Sequence, residues 1–110
     1  MRILFVAGQI GCDAEGRVVS TDFVEQFAQA LDHVLAVVHH AGGKASDIVR
    51  MTVYVTNRDR YLDSARDLGK VWRERLGRHY PAMALVQVVA LVEAAAMVEI
   101  EATAAIGEWD

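Results

Sequence analysis

The chain has 110 residues, 54% of them hydrophobic, with 11 Lys and Arg, 15 Asp and Glu and a net charge of −4. That length sets the expectation of one domain over residues 1–110. The basic residues are scattered and form no run, which argues against a nucleic-acid footprint. No apolar stretch approaches the roughly 20 residues that a membrane span requires.

The opening run Arg2-Ile3-Leu4-Phe5-Val6-Ala7-Gly8 is rich in β-branched and aromatic residues and predicts a strand. It lacks the pattern of a secretory leader. A strand starting at residue 2 or 3 is abrupt, as expected of a gene product with a longer N-terminus. Cys12-Asp13-Ala14-Glu15-Gly16 is turn chemistry. Arg17-Val18-Val19 then reads as a short returning strand, so an opening hairpin is expected. Cys12 is the only cysteine, which excludes an internal disulfide and fits a reducing cytoplasm. No His is near it in sequence, and it reads as an incidental loop residue.

Ser20-Thr21-Asp22 starts the first helix, with Asp22 and Glu25 at the spacing of a capping box. Phe23, Val24, Phe27, Ala28, Leu31, Val34, Leu35 and Val38 recur at helical period, and Gly42-Gly43 ends the element. His33, His39 and His40 lie on this helix. Adjacent helical residues point about 100° apart, so His39 and His40 suit a solvated helix end better than one metal.

Ile48 to Thr56 alternates Val49, Met51, Val53 and Val55 with Arg50, Thr52, Tyr54 and Thr56, the cleanest strand of the chain. Asn57-Arg58-Asp59-Arg60 leads into a second helix with Leu62, Ala65, Leu68, Val71, Trp72 and Leu76 on one face. Its other face, Arg60, Asp63, Arg66, Asp67, Lys70, Arg73 and Glu74, reads as solvated. Pro81 is the only proline and fits the first residue of a strand. The runs from Pro81 to Leu91 and from Met97 to Ala102, around Val92-Glu93-Ala94-Ala95, read as a terminal hairpin. Gly107-Glu108-Trp109-Asp110 follows as a polar tail.

The last strand carries Glu99 and Glu101 two residues apart, on one face of an apolar segment. A solvated face of an antiparallel sheet is the commoner explanation of such a pair; a site is the sharper one. The order is ββαβαββ, an α+β arrangement with a mixed sheet and both helices on one face. The opposite face is also mostly apolar and has no element left to cover it, which predicts self-association through it.

Several short segments, in order over nearly the whole chain, carry a resemblance. Ala7-Gly8-Gln9-Ile10 is similar to the S-G-Q-[IL] signature of the YjgF/RidA (reactive intermediate deaminase, L-PSP endoribonuclease) family. Ala41-Gly42-Gly43, Ser46-Asp47-Ile48-Val49 and Thr52-Val53-Tyr54-Val55-Thr56 resemble its A-G, D-[IV]-V and T-V-[FY]-[VL] segments. Tyr80-Pro81-Ala82 resembles its [FY]-P-A-R, and Val98-Glu99-Ile100-Glu101-Ala102 its V-E-I-E-A.

The resemblance implies a chorismate-mutase-like fold and a homotrimeric barrel with clefts between subunits. It implies cofactor-independent hydrolysis of reactive enamines and imines, such as 2-aminoacrylate, with no metal. The family's carboxylate-gripping Arg falls on Met83, its Ser on Ala7, its Cys on Leu85 and an Asn of the second helix on Arg66. The aromatic of its N-terminal strand has no counterpart. Gly8 and Glu99 match, Gly8 allowing close backbone approach and Glu99 corresponding to the acid that handles the hydrolytic water. Met83, Leu85 and Ala7 imply a more apolar cleft and a larger ligand, less acidic or without an α-carboxylate.

Three functions follow from these residues: a deaminase using Glu99, a small-molecule-binding trimer without turnover, and, last, an endoribonuclease. The net charge of −4 disfavours the third.

Overall fold

The computed structural model describes residues 1–107, so residues 108–110 of the expected polar tail lie outside the described region. The elements are β1 (Arg2–Ile10), α1 (Phe23–His40), β2 (Ile48–Val55), α2 (Arg58–Asp63), α3 (Ala65–Leu76), β3 (Ala82–Gln87) and β4 (Val98–Ile106). A 3₁₀ turn at Ala45–Asp47 precedes β2. The strands form one mixed sheet in the order β1-β4-β2-β3. β4 is antiparallel to both neighbours, while β3 runs parallel to β2 after the α2–α3 crossover.

Two expected hairpins do not form. Residues 17–19 are not a strand; the turn before them closes instead on Asp13, whose Oδ1 accepts from the amides of Glu15 and Arg17. At the other end β2 lies between β3 and β4. Insertion of β4 between β1 and β2 gives it a ladder on both edges, which a terminal hairpin with β3 would not.

The helices form where caps and periodicity coincide. Asp22 caps α1 by accepting from the Glu25 amide at 2.9 Å. The reciprocal half of the expected box is replaced, because Glu25 Oε2 accepts from the Ser20 hydroxyl at 2.6 Å. Gly42, with φ +87°, ends the helix in the left-handed geometry that glycine tolerates best. The second predicted helix breaks at Ser64 into α2 and α3, and Asn57 caps the first piece.

Both main helices cover one sheet face. Phe27, Leu31, Val34 and Val38 of α1 and Leu68, Trp72 and Leu76 of α3 meet Val6, Met51, Val53, Val98, Ile100 and Ala102 of the sheet. Arg75 joins the helices by forking onto Asp32, with Nε to Oδ1 at 2.6 Å and Nη2 to Oδ2 at 3.3 Å. This bond raises the Arg75 pKa.

Gln26 is the one buried polar or charged residue among the described residues. Its Nε2 donates to the carbonyls of Ser20 (2.8 Å) and Ala95 (3.1 Å), and its Oε1 accepts from the Met97 amide (2.8 Å). It thereby fixes the β3–β4 connection against α1 and sets where β4 starts.

Candidate active site

Side-chain alternation on β4 divides the chemistry between the two faces of the sheet. Val98, Ile100, Ala102 and Ala104 point into the core, so Glu99 and Glu101 point to the open face. β1 pairs with β4 in one register up to Val6–Ala102 and in another from Gln9–Ile100. The extra residue is a β-bulge at Ala7-Gly8, opposite Glu101. It turns both residues toward the acids. The Glu99 side chain lies directly over Gly8: a Cβ built there would be 2.5 Å from Glu99 Oε2 and 2.8 Å from Cδ. Only glycine leaves that room.

Tyr54 of β2 is in register with Glu99. Its hydroxyl donates to Glu101 Oε1 at 2.6 Å. That bond, then desolvation and the charges of Glu101 and Glu99, raise the Tyr54 pKa above the usual phenol value. Glu101 is therefore engaged as an acceptor, while Glu99 has no side-chain hydrogen bond or ion pair among the described residues. Beside them a depression of about 340 Å³ is lined by Phe5, Ala7, Arg50, Thr52, Glu101 and Thr103.

Met83 and Leu85 are in register with Met51 and Val53, which are core residues. They therefore face the helices, opposite to Glu99. There they line a groove of about 270 Å³ with Phe27, Tyr61, Trp72 and Tyr80. Trp72 and Tyr80 stack with ring planes 3° apart and centroids 6.2 Å apart. Of the sequence-predicted residues, Ala7, Gly8 and Glu99 come together on one face, and Met83 and Leu85 on the other. Arg66 is exposed and lines neither depression. The groove's cation is Arg73, which the helical pattern assigned to a solvated face. Its position beside Trp72 and four residues after Gly69 was the available signal.

Cys12 has a histidine neighbour that sequence proximity did not show: His33 Nε2 donates to the Cys12 carbonyl oxygen at 2.8 Å and sits 3.7 Å from Cys12 Sγ. The carbonyl occupies the ring N–H that faces Cys12, so the two are joined through the backbone. No group of His, Cys, Asp and Glu suited to a metal is present among the described residues. No described helix is long and apolar enough to cross a membrane.

The chain and its fold are similar to those of known proteins. The family profile described as Endoribonuclease L-PSP matches residues 1–106. The chain belongs to the YjgF/RidA family. A RutC family protein of Pyrococcus abyssi is 33% identical over 102 residues, covering 92% of this chain and 76% of that one. The human 2-iminobutanoate/2-iminopropanoate deaminase is 29% identical over 104 residues, covering 94% and 72%. Among solved structures, Escherichia coli TdcF with bound serine superposes with a TM-score of 0.79 at 31% identity, covering 96% of this chain and 81% of that one. The family profile thus spans β1 to β4.

Proposed function

We propose that this YjgF/RidA-family chain is a hydrolytic deaminase of reactive enamines or imines, working as a homotrimer without a cofactor or metal. The observation that carries the reading is Glu99 Oε2 held over the Gly8 backbone, free of side-chain partners among the described residues. A carboxylate with vacant acceptor sites beside exposed backbone can orient water toward a C=N carbon and take its proton. Attack gives a tetrahedral carbinolamine; proton return to nitrogen expels ammonia and leaves the carbonyl compound. The human relative's name as an iminobutanoate and iminopropanoate deaminase supports this chemistry.

One protomer does not bring Glu99 and Met83 into the same cavity, since they face opposite sides of one sheet. A shared cleft then requires the open face of one subunit to meet the β3 edge of the next. The exposed Ile3, Phe5 and Val86 support burial of that face between subunits. The substrate differs from the small 2-imino acids, because Met83 offers no bidentate grip on an α-carboxylate beside the C=N bond.

The test is ammonia release from freshly generated 2-aminoacrylate and from bulkier apolar imines. Wild type should favour the bulky imines, and Glu99→Gln should lose about 10²–10⁴-fold in rate, the usual contribution of a positioned general base. Unchanged turnover in Glu99→Gln would eliminate the mechanism. The Met83 substitution favours a second reading, a binding protein without turnover. That reading gains if wild type is inert on every imine and Met83→Arg alone is active on 2-aminoacrylate.

A further inference from the structure

The helix-side groove combines an apolar body with one cation. Phe27, Tyr61, Trp72, Tyr80, Met83 and Leu85 form its walls, and Arg73 completes them. Tyr80 is 67% exposed, yet it lies parallel to Trp72 and gives the groove a flat aromatic wall. Arg73 Nη1 lies over Gly69, where an added Cβ would be 3.3 Å away. The guanidinium thus folds back along the helix, and a side chain at position 69 would crowd it. Arg73 forms no ion pair among the described residues, whereas Arg75, two positions on, is held by Asp32.

A guanidinium with its donor fork unengaged at the rim of an aromatic slot has a defined chemical complement. We infer that Arg73 is the specificity-determining anchor of this groove, binding an organic monoanion whose carboxylate is carried on a flat or bulky apolar body. The body lies against Trp72, Tyr80 and Met83, and the carboxylate takes two parallel hydrogen bonds from Arg73. Arg73 rises from α3 whereas Met83 belongs to β3, so the acid group is gripped across the groove from the strand. This deepens the deaminase reading, on which it rests for the reaction class but not for the binding. It reconciles an apolar strand β3 with an acidic substrate: the acid sits at a distance from the C=N bond instead of next to it.

The experiment titrates the intact protein with 3-phenylpropanoate and with its uncharged isostere 3-phenylpropanamide, following heat of binding. Wild type should prefer the acid by about tenfold or more, the effect of one hydrogen-bonded charge. Arg73→Gln should erase the preference while keeping the thermal midpoint, since Arg73 is exposed. Arg73→Lys should restore part of it, and Met83→Arg in the Arg73→Gln background should restore it from the opposite wall. Equal affinity for acid and amide, an undiminished preference in Arg73→Gln, or no binding of the acid to wild type would each overturn the assignment. Absence of turnover in a protein that retains the preference bears on the deaminase reading alone.

Discussion

The two faces of β4 have opposite character. Val98, Ile100, Ala102 and Ala104 are covered by helices of their own chain. Between them Glu99, Glu101 and Thr103 look out over a face whose Phe5 is 79% exposed. The covered face has its partners in the same chain, so its side chains are chosen for volume and shape. The open face keeps charge, a phenol and a backbone bulge within one patch, and its large apolar residues have no cover of their own. Along β4, the residues that build the core lie on one side of the sheet and its two acids on the other.

The largest effect should come from a substitution on the covered face. Ile100→Ala removes three carbons from a fully buried position and is expected to cost about 2–5 kcal/mol. Phe5→Ala, on the open face, should change the stability of the dissociated protomer by no more than about 0.5 kcal/mol. It should instead shift the assembly toward protomers, seen as a slower boundary in sedimentation velocity. Denaturant midpoints of the two variants at low protein concentration decide the contrast. Comparable losses there would mean that the open face stabilises the protomer as the core does.

Gly8→Ala sharpens the comparison within the open face. The added methyl meets the far end of the Glu99 side chain, which can swing aside, so the stability cost should stay within about 1–3 kcal/mol. Ammonia release should fall much further, toward the level of Glu99→Gln, because the carboxylate loses its position. A variant as active as wild type would show that Glu99 does not act from above Gly8.

How much of this was legible in the chain follows the same division. Helix α1, strand β2 and the core stripe of α3 announce themselves by period, since each buries one face within the protomer. The mixed α+β sheet with both helices on one side was legible for the same reason. Strand partners were not. The run from Ala82 to Gln87 and the run from Val98 to Ile106 are consecutive strands, and nearness in sequence favours a hairpin. What decides otherwise is that β4 is apolar enough to be central and β3, with Met83 and Val86 exposed, suits an edge. Strand alternation singled out Glu99 with Glu101 and motif resemblance added Gly8, but the physical link between Glu99 and Gly8, the bulge that brings one to the other, exists only once β1 and β4 pair. Arg73 is exposed, as helical periodicity marks it; only the fold shows that it also borders a groove that β3 and α3 build together. Arg66, seven residues earlier on the same helix, was a nearby choice that the fold turns to solvent.

The smallest expected effect concerns Tyr54. Its raised pKa means that the folded chain holds the phenolic proton more tightly than the unfolded chain does, chiefly through the bond to Glu101. The resulting stabilisation is fully present below the ordinary phenol value, about 10, and is lost as pH rises through the higher folded value. Stability of wild type should therefore decline on the alkaline side in a limb that Tyr54→Phe lacks. Every other ionisable group is common to the two proteins, so the difference between the two curves, not either curve, carries the result. The pair is half-buried on the open face and within reach of solvent, which keeps the difference small and makes it shrink with added salt. Denaturant midpoints compared from about pH 8 to about pH 11 would show it. Parallel curves would mean that Tyr54 and Glu101 are not bonded in solution. Glu101 would then be as free as Glu99, and the division of labour between the two acids would have to be redrawn.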